Sequence, residues 1–117
     1  MTVLIERINI LLEAGIISKE VADYVLKVID LFSDYTFDEA KMEMFTTHLA
    51  MATQRTVDKN EELEFDETIW AQIIEDLNYE KAVNLFEMIV TYSPVSYMES
   101  ERKFLIMHLC NLSQDWF

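Results

Sequence analysis

The two histidines of this 117-residue chain, His48 and His108, carry its most distinctive chemistry. Each lies in a strongly apolar run, and the spacing of the apolar residues predicts that both runs are helical. A neutral imidazole nitrogen can accept a phosphoryl group or bind a metal ion. A histidine in an apolar helix is also commonly a core residue with one hydrogen bond, so position alone leaves both interpretations open.

Arg55 lies seven residues after His48, which places the two side chains on nearly the same face of one helix. Helical side chains lean toward the N-terminus, so the guanidinium can reach back over the imidazole. Its planar fork of N–H donors suits bidentate binding of a phosphoryl group. The spacing is equally compatible with a surface arginine that pairs with nearby carboxylates.

Metal chemistry is the rival interpretation of the histidines. Structural zinc takes four nitrogen or sulfur ligands, whereas the chain offers two histidines and Cys110. Cys110 follows His108 by two residues, so on a helix these side chains point in different directions. No H-E-x-x-H or E-x-x-H sequence occurs. We predict no metal, no cofactor and no catalytic residue, and keep a small metal-dependent helical hydrolase as an alternative.

The composition predicts one all-α domain over residues 1–117. Apolar residues make up 51% of the chain, which is typical of a folded protein and not of a disordered one. Gly15 and Pro94 are the only residues of their kinds, so tight turns are scarce and a many-stranded β fold is disfavoured. We expect a compact bundle of five or six helices.

Charge and cysteine content restrict the partners and the compartment. The formal net charge is −13, and no cluster of Lys and Arg interrupts it. Nucleic acids and anionic membranes are bound through basic groups, so we expect no direct role at either, and a protein partner with a basic face suits this chain better. Cys110 stands alone, the N-terminal apolar run is broken at once by charge, and no stretch is long enough to span a bilayer. These features predict a cytoplasmic protein.

Capping signals divide the chain into helices. Gly15 is placed to end a first helix that begins near residue 2, and Ser18 to begin a second. Asp66 and Asn78 can each begin a shorter helix later in the chain. The polar run 59–65 (KNEELEF) follows the predicted helix with His48 and precedes Asp66, and it is predicted to be an exposed loop.

Two sequences that resemble capping boxes precede the histidine helices. Residues 36–39 (TFDE) predict the start of the helix with His48, and residues 96–99 (SYME) that of the helix with His108. If both histidines serve one signal, these helices should pack side by side, with the imidazoles in a shared groove and Arg55 on the same side. If they are ordinary core residues, each should be bonded to a backbone carbonyl, and Arg55 should point to solvent.

Two segments resemble the histidine motifs of the phosphotransferase-system regulation domain, the PRD. Residues 45–55 (FTTHLAMATQR) are similar to the first motif, in which apolar residues follow the histidine and an arginine lies seven positions after it. Residues 99–109 (ESERKFLIMHL) are similar to the second, an acidic helix start with an aromatic residue and an aliphatic-x-aliphatic-His-aliphatic string. Residues 70–74 (WAQII) and 79–82 (YEKA) resemble the middle helices of the family.

The resemblance implies a regulatory domain phosphorylated on histidine, and not an enzyme. It implies that His48 and His108 are the phosphorylation sites, that HPr or a sugar-specific enzyme II is the donor, and that the chain forms a homodimer or pairs with another PRD. In bacteria, PRDs control antiterminators and transcription activators. The chain departs from the pattern at Thr47, where aspartate is usual, and at Lys103, where a small residue is usual. A degenerate PRD that binds a partner without being phosphorylated is the alternative.

Overall fold

Six α-helices make up the described part of the chain. The computed structural model describes residues 2–60 and 64–114, and within them it contains no strand and no helix long and apolar enough to cross a membrane. The helices are α1 (Thr2–Glu13), α2 (Lys19–Phe32), α3 (Glu39–Val57), α4 (Glu67–Ile74), α5 (Tyr79–Val90) and α6 (Glu99–Ser113). The predicted all-α bundle of five or six helices is confirmed.

The turn between α1 and α2 follows its sequence signals. Gly15 adopts the left-handed conformation, with a φ of 73°. Its N–H donates to the carbonyl of Leu12, and the next N–H, of Ile16, donates to that of Leu11, both at 3.0 Å. This pair of bonds closes the end of α1 and favours glycine because a left-handed φ strains other residues. Ser18 then caps α2, as predicted, by accepting a hydrogen bond from the N–H of Val21.

The start of α3 lies later than its predicted capping box. The helix begins after Asp38, whose carboxylate accepts a hydrogen bond from the N–H of Lys41 at 3.0 Å. The prediction that Thr36 caps this helix is therefore wrong. An ionised carboxylate makes a stronger bond to a backbone N–H than a hydroxyl does, and Asp38 is the acceptor adjacent to the first turn.

The start of α6 also differs from the prediction. The helix begins after Met98 with no side-chain capping bond, so Ser96 does not cap it. The neighbouring Tyr97 is instead anchored inward, with its hydroxyl 2.6 Å from that of Thr53 on α3. The Thr53 hydroxyl already donates its proton to the carbonyl of Leu49, so Tyr97 must be the donor. This anchor holds the chain outside the helix until residue 98.

Helices α4 and α5 begin where predicted. The Asp66 carboxylate accepts a hydrogen bond from the N–H of Thr68 at 2.7 Å and caps α4. Asn78 lies at the cap position of α5, but its side chain makes no capping bond; its N–H donates instead to the Asp76 carboxylate at 2.7 Å. The predicted loop before α4 is non-helical on both sides of residues 61–63, which lie outside the described residues.

Two groups of three consecutive helices meet along α3 and α6. α1, α2 and α3 pack on one another, and α6 packs on α4 and α5. α3 packs against α6 across the two groups, and Tyr24 on α2 adds a hydrogen bond of 3.1 Å to the carbonyl of Ile89 on α5. Both groups contribute large, fully buried apolar side chains to one core, so burial of apolar surface holds them together. These side chains include Leu4, Ile8, Phe32, Phe45, Leu49, Ile89, Leu105 and Leu109.

Candidate functional site

A two-layer polar contact crosses the boundary between α3 and α6. His48 on α3 lies against His108 on α6, and Arg55 on α3 lies against Glu101 on α6. The earlier residue of α3 meets the later residue of α6, so the two helices run antiparallel. Each helix contributes two residues spaced by seven, which keeps both on one helix face. We refer to the pairs His48–His108 and Arg55–Glu101 together as the α3–α6 ladder.

The two imidazoles form a stacked pair. Their ring centroids are 4.2 Å apart, and the ring planes are inclined by 22°. Phe104, one turn before His108, presents its ring edge-on at 4.5 Å from His108 and 5.5 Å from His48. Both histidines are half-buried. The two histidines therefore share one site, on the same side of the bundle.

Neither imidazole is hydrogen-bonded within the part of the chain that the structure describes. The Nε2 atom of His108 is enclosed and has no hydrogen-bond partner. An ordinary core histidine would donate to a backbone carbonyl, and buried polar atoms of native proteins are nearly always paired. The interpretation of the histidines as conventional core residues does not describe this arrangement.

Both imidazoles are held in the neutral form. Burial lowers the pKa of His108 to about 4, and the neighbouring His48 adds to the effect. Burial also lowers the pKa of His48 below its ordinary value, and the positive charge of Arg55 lowers it further. A neutral imidazole retains a nitrogen lone pair, which is the form required for attack on phosphorus. At neutral pH the pair therefore consists of two uncharged nucleophiles.

Arg55 is bonded to a buried carboxylate. Its Nη2 atom donates to both oxygens of Glu101, at 3.2 Å and 3.1 Å. The Glu101 side chain is 0% exposed, whereas that of Arg55 is 35% exposed. The structure thus realises the alternative in which Arg55 pairs with a carboxylate, although that carboxylate lies in the interior. Arg55 remains close enough to His48 for its charge to act on the imidazole.

Glu101 is the site residue that the sequence analysis missed. Carboxylates are almost never fully buried unless they are paired, so an acidic residue at a helix start does not by itself indicate a buried site. A signal was present in the spacing: His48 precedes Arg55 by seven residues, and Glu101 precedes His108 by seven. When two such helices pack antiparallel, the histidines meet and the opposite charges meet.

The two departures from the PRD pattern have local partners. The Thr47 hydroxyl accepts a long hydrogen bond of 3.4 Å from the guanidinium of Arg7 on α1. Lys103 forms a 3.0 Å ion pair with Glu67 and lies over the ring of Trp70, 5.4 Å from its centroid. The Lys103 side chain is only 13% exposed and ties α4 to α6. The two residues thus link α3 to α1 and α6 to α4.

The described residues contain no group of three or more His, Cys, Asp or Glu side chains that could hold a metal ion. Cys110, the other sulfur or nitrogen ligand considered with the histidines, is buried. Burial raises the pKa of its thiol to about 11, with a further contribution from Asp76. The thiol is therefore protonated at neutral pH and is a poor nucleophile.

No model of a known protein family matches the chain, and no match was found among the curated proteins or the solved structures.

Proposed function

We propose that this chain is a regulatory domain of the phosphotransferase system that accepts a phosphoryl group on histidine and acts through protein association. The observation that carries this proposal is the stacked pair of neutral, unbonded imidazoles beside the Arg55 guanidinium. A phosphoryl acceptor needs an unprotonated nitrogen and a nearby cation, and little more, because the donor protein supplies most of the catalytic positioning. The resemblance of both histidine segments to PRD motifs agrees with this role.

His48 is the first acceptor in this proposal. One of its ring nitrogens attacks the phosphorus atom carried by HPr or a sugar-specific enzyme II; a P–N bond forms on His48 as the donor's own bond to phosphorus breaks. His108 presents an enclosed Nε2 atom, so its phosphorylation requires α3 and α6 to separate locally. The two histidines thus differ in access, and His108 is modified second or only in an altered conformation.

The signal would be passed on by a change of partner and not by turnover of a substrate. Exposed apolar side chains on α1, in the turn after it and near α4 offer surface that a homodimer or a complex with another PRD would cover. They are Val3, Ile5, Ile10, Ile16, Ile69, Ile74 and Leu77. We propose no direct contact with nucleic acid, since the net charge is −13 and phosphate binding relies on basic groups. We propose a cytoplasmic location, where the donors act.

One observation favours a second candidate, a degenerate PRD that binds a partner without being phosphorylated. The enclosed Nε2 atom of His108 is the less accessible of the two sites, and Lys103 adds a bulky, ion-paired group to α6 two residues after Glu101. In this candidate the histidine layer contributes only shape to the α3–α6 contact.

Phosphoryl transfer distinguishes the two candidates. The chain would be incubated with phosphoenolpyruvate, enzyme I and HPr, with and without enzyme II components, and examined by intact-protein mass spectrometry. We expect an acid-labile phosphoryl adduct that is lost in the double variant His48→Gln, His108→Gln, and chiefly lost in His48→Gln alone. Label that resists acid, or that survives the double substitution, means that another residue is the acceptor. Absence of any adduct with every donor supports the partner-binding candidate.

A further inference from the structure

Arg55 lies between two positions that can carry negative charge. One is the Glu101 carboxylate, which is 0% exposed and whose hydrogen-bond partner in the described structure is Arg55. The other is His48, two helical turns earlier on the same face of α3, which is uncharged until it is modified. The one guanidinium can therefore pair with an anion at either position, and in the unmodified protein it is bonded to Glu101.

We infer that Glu101 and Arg55 form a latch between α3 and α6 that an anion on His48 opens by drawing Arg55 away from Glu101. This inference rests on the proposed function, because the anion is the phosphoryl group carried by His48. Glu101 is a positioning residue in this scheme: it holds Arg55 on the ladder before transfer and is displaced after it. The regulatory output is the loosening of α6 from α3.

The charges determine the direction of the effect. A phosphoryl group on His48 carries between one and two negative charges at neutral pH, so it competes with the Glu101 carboxylate for the guanidinium, and a carboxylate at position 48 competes in the same way with less charge. Loss of Arg55 leaves Glu101 as an uncompensated charge in the interior, which is strongly destabilising. The carboxylate can regain water only if the first turns of α6 move away from α3. The latch thus converts a charge added on α3 into movement of α6.

The latch lies at the contact between the two helix groups, so movement of α6 would change how these groups are arranged. α3 belongs to the N-terminal group of helices and α6 to the C-terminal group, and their contact joins the two. α4 is tied to α6 through Lys103 and Glu67, so α4 would move with the start of α6. The exposed apolar side chains near α4, Ile69, Ile74 and Leu77, would then change position relative to the N-terminal helices.

The test uses substitutions, so that it does not depend on any phosphoryl donor. His48→Glu places a permanent carboxylate beside Arg55, and His48→Gln is its neutral control. Both are made in the natural chain and together with Glu101→Gln, which removes the buried charge but keeps the shape. Thr47→Glu adds the same charge one residue away, near Arg7 instead of Arg55. Amide hydrogen exchange of residues 99–106 is measured by mass spectrometry for each variant.

We expect His48→Glu to raise exchange in residues 99–106 on the order of tenfold or more over His48→Gln. The increase should disappear when Glu101→Gln is also present, and Thr47→Glu should not produce it. Equal exchange in His48→Glu and His48→Gln overturns the latch, as does an increase that persists with Glu101→Gln. His48→Glu could also lower protection from exchange in every helix, α2 included. In that case, protection restored by adding Glu101→Gln supports the latch, and protection that is not restored overturns it.

The two proposals can fail separately. Absence of phosphoryl transfer to His48 would reject the proposed function while His48→Glu still reports on the latch. Efficient transfer to His48 together with unchanged exchange in His48→Glu would reject the latch and leave the acceptor role standing.

Discussion

The two layers of the α3–α6 ladder lie on the same pair of helices and differ in how their polar atoms are satisfied. In the Arg55–Glu101 layer, the buried carboxylate receives two hydrogen bonds from the guanidinium. In the His48–His108 layer, the rings stack at 4.2 Å, and the enclosed Nε2 atom of His108 has no partner among residues 2–60 and 64–114. The first layer is complete without any ligand, whereas the second retains unused bonding capacity.

This difference separates a fully bonded contact from one with unused nitrogen lone pairs. A buried ion pair must be fully bonded because each unpaired charge in the interior is costly. An unbonded imidazole costs less while it stays neutral, and the lowered pKa of both histidines keeps it so. The Arg55–Glu101 layer is therefore the satisfied layer, whereas the histidine layer stays neutral and keeps unused lone pairs.

The largest expected loss of stability comes from breaking the Arg55–Glu101 layer. Arg55→Ala leaves Glu101 buried without a partner, and because Arg55 is partly exposed we expect a loss of about 2–4 kcal/mol in the free energy of unfolding, somewhat below that of a fully enclosed pair. Replacing both members, with Arg55→Met and Glu101→Leu, should cost clearly less than Arg55→Ala alone. Urea denaturation of the three proteins measures this. A cost for Arg55→Ala no greater than that of the double variant would mean that the pair is not the satisfied layer described above.

The second effect is a pH dependence of the free energy of unfolding that comes from the His48–His108 layer. Because the pKa of His108 is lowered from 6.5 to about 4, the unfolded chain binds a proton before the folded one does. The free energy of unfolding should therefore fall as pH decreases from about 6.5 to about 4, by about 1–2 kcal/mol from this layer after allowance for partial exposure. His48 contributes in the same direction. Thermal denaturation across this range should show a shallower slope for His108→Gln, and an unchanged slope would contradict the neutral state of the pair.

A third effect tests whether a satisfied contact next to the ladder behaves like the charged layer. Tyr97→Phe removes the hydroxyl that donates to Thr53, while the Thr53 proton remains bonded to the carbonyl of Leu49. We expect a loss of about 1 kcal/mol, because no buried donor is left unpaired on Thr53. Thr53→Val deprives the Tyr97 hydroxyl of its acceptor and should cost at least as much. Chemical denaturation gives both values, and a negligible cost for both would show that this contact does not anchor the start of α6.

The smallest effect on stability is expected at His48. His48→Gln removes a half-buried ring that makes no hydrogen bond to the described residues, so the free energy of unfolding should change by no more than about 0.5–1 kcal/mol. The same substitution should nevertheless abolish most phosphoryl uptake. A large loss of stability would place His48 with the satisfied layer and would weaken the contrast between the two.

Local chemistry made much of the fold predictable. The left-handed turn at Gly15 and the caps at Ser18 and Asp66 depend on one residue and its immediate neighbours, and all three were confirmed. The capping boxes at residues 36–39 and 96–99 were wrong because other groups act there: the Asp38 carboxylate caps α3, and an inward tyrosine contact precedes α6. The tyrosine contact crosses between helices, and no local pattern contains it.

The site was predictable only in part, for a related reason. The spacing of His48 and Arg55 correctly placed both on one face of α3. The structure also places His108 beside His48, as the hypothesis of a shared groove required. The partner of Arg55 was missed because the burial of Glu101 is a property of the packed helix pair. A carboxylate in the first turn of an isolated helix is normally exposed. Antiparallel packing at a spacing of seven residues is the information that single segments lack.

The order of the helices along the chain has a consequence for folding. α1 with α2, α2 with α3, and α5 with α6 are contacts between consecutive helices, whereas Arg55 and Glu101 are separated by 46 positions. Closing a long loop costs entropy before its contacts stabilise anything, so the two helix groups should form first and join across α3 and α6 late. Contacts made after the transition state affect the rate of unfolding far more than the rate of folding. The ladder therefore contributes, together with the shared apolar core, to how long the two helix groups stay joined. We expect a charge placed on His48 to shorten that lifetime without slowing the formation of either group.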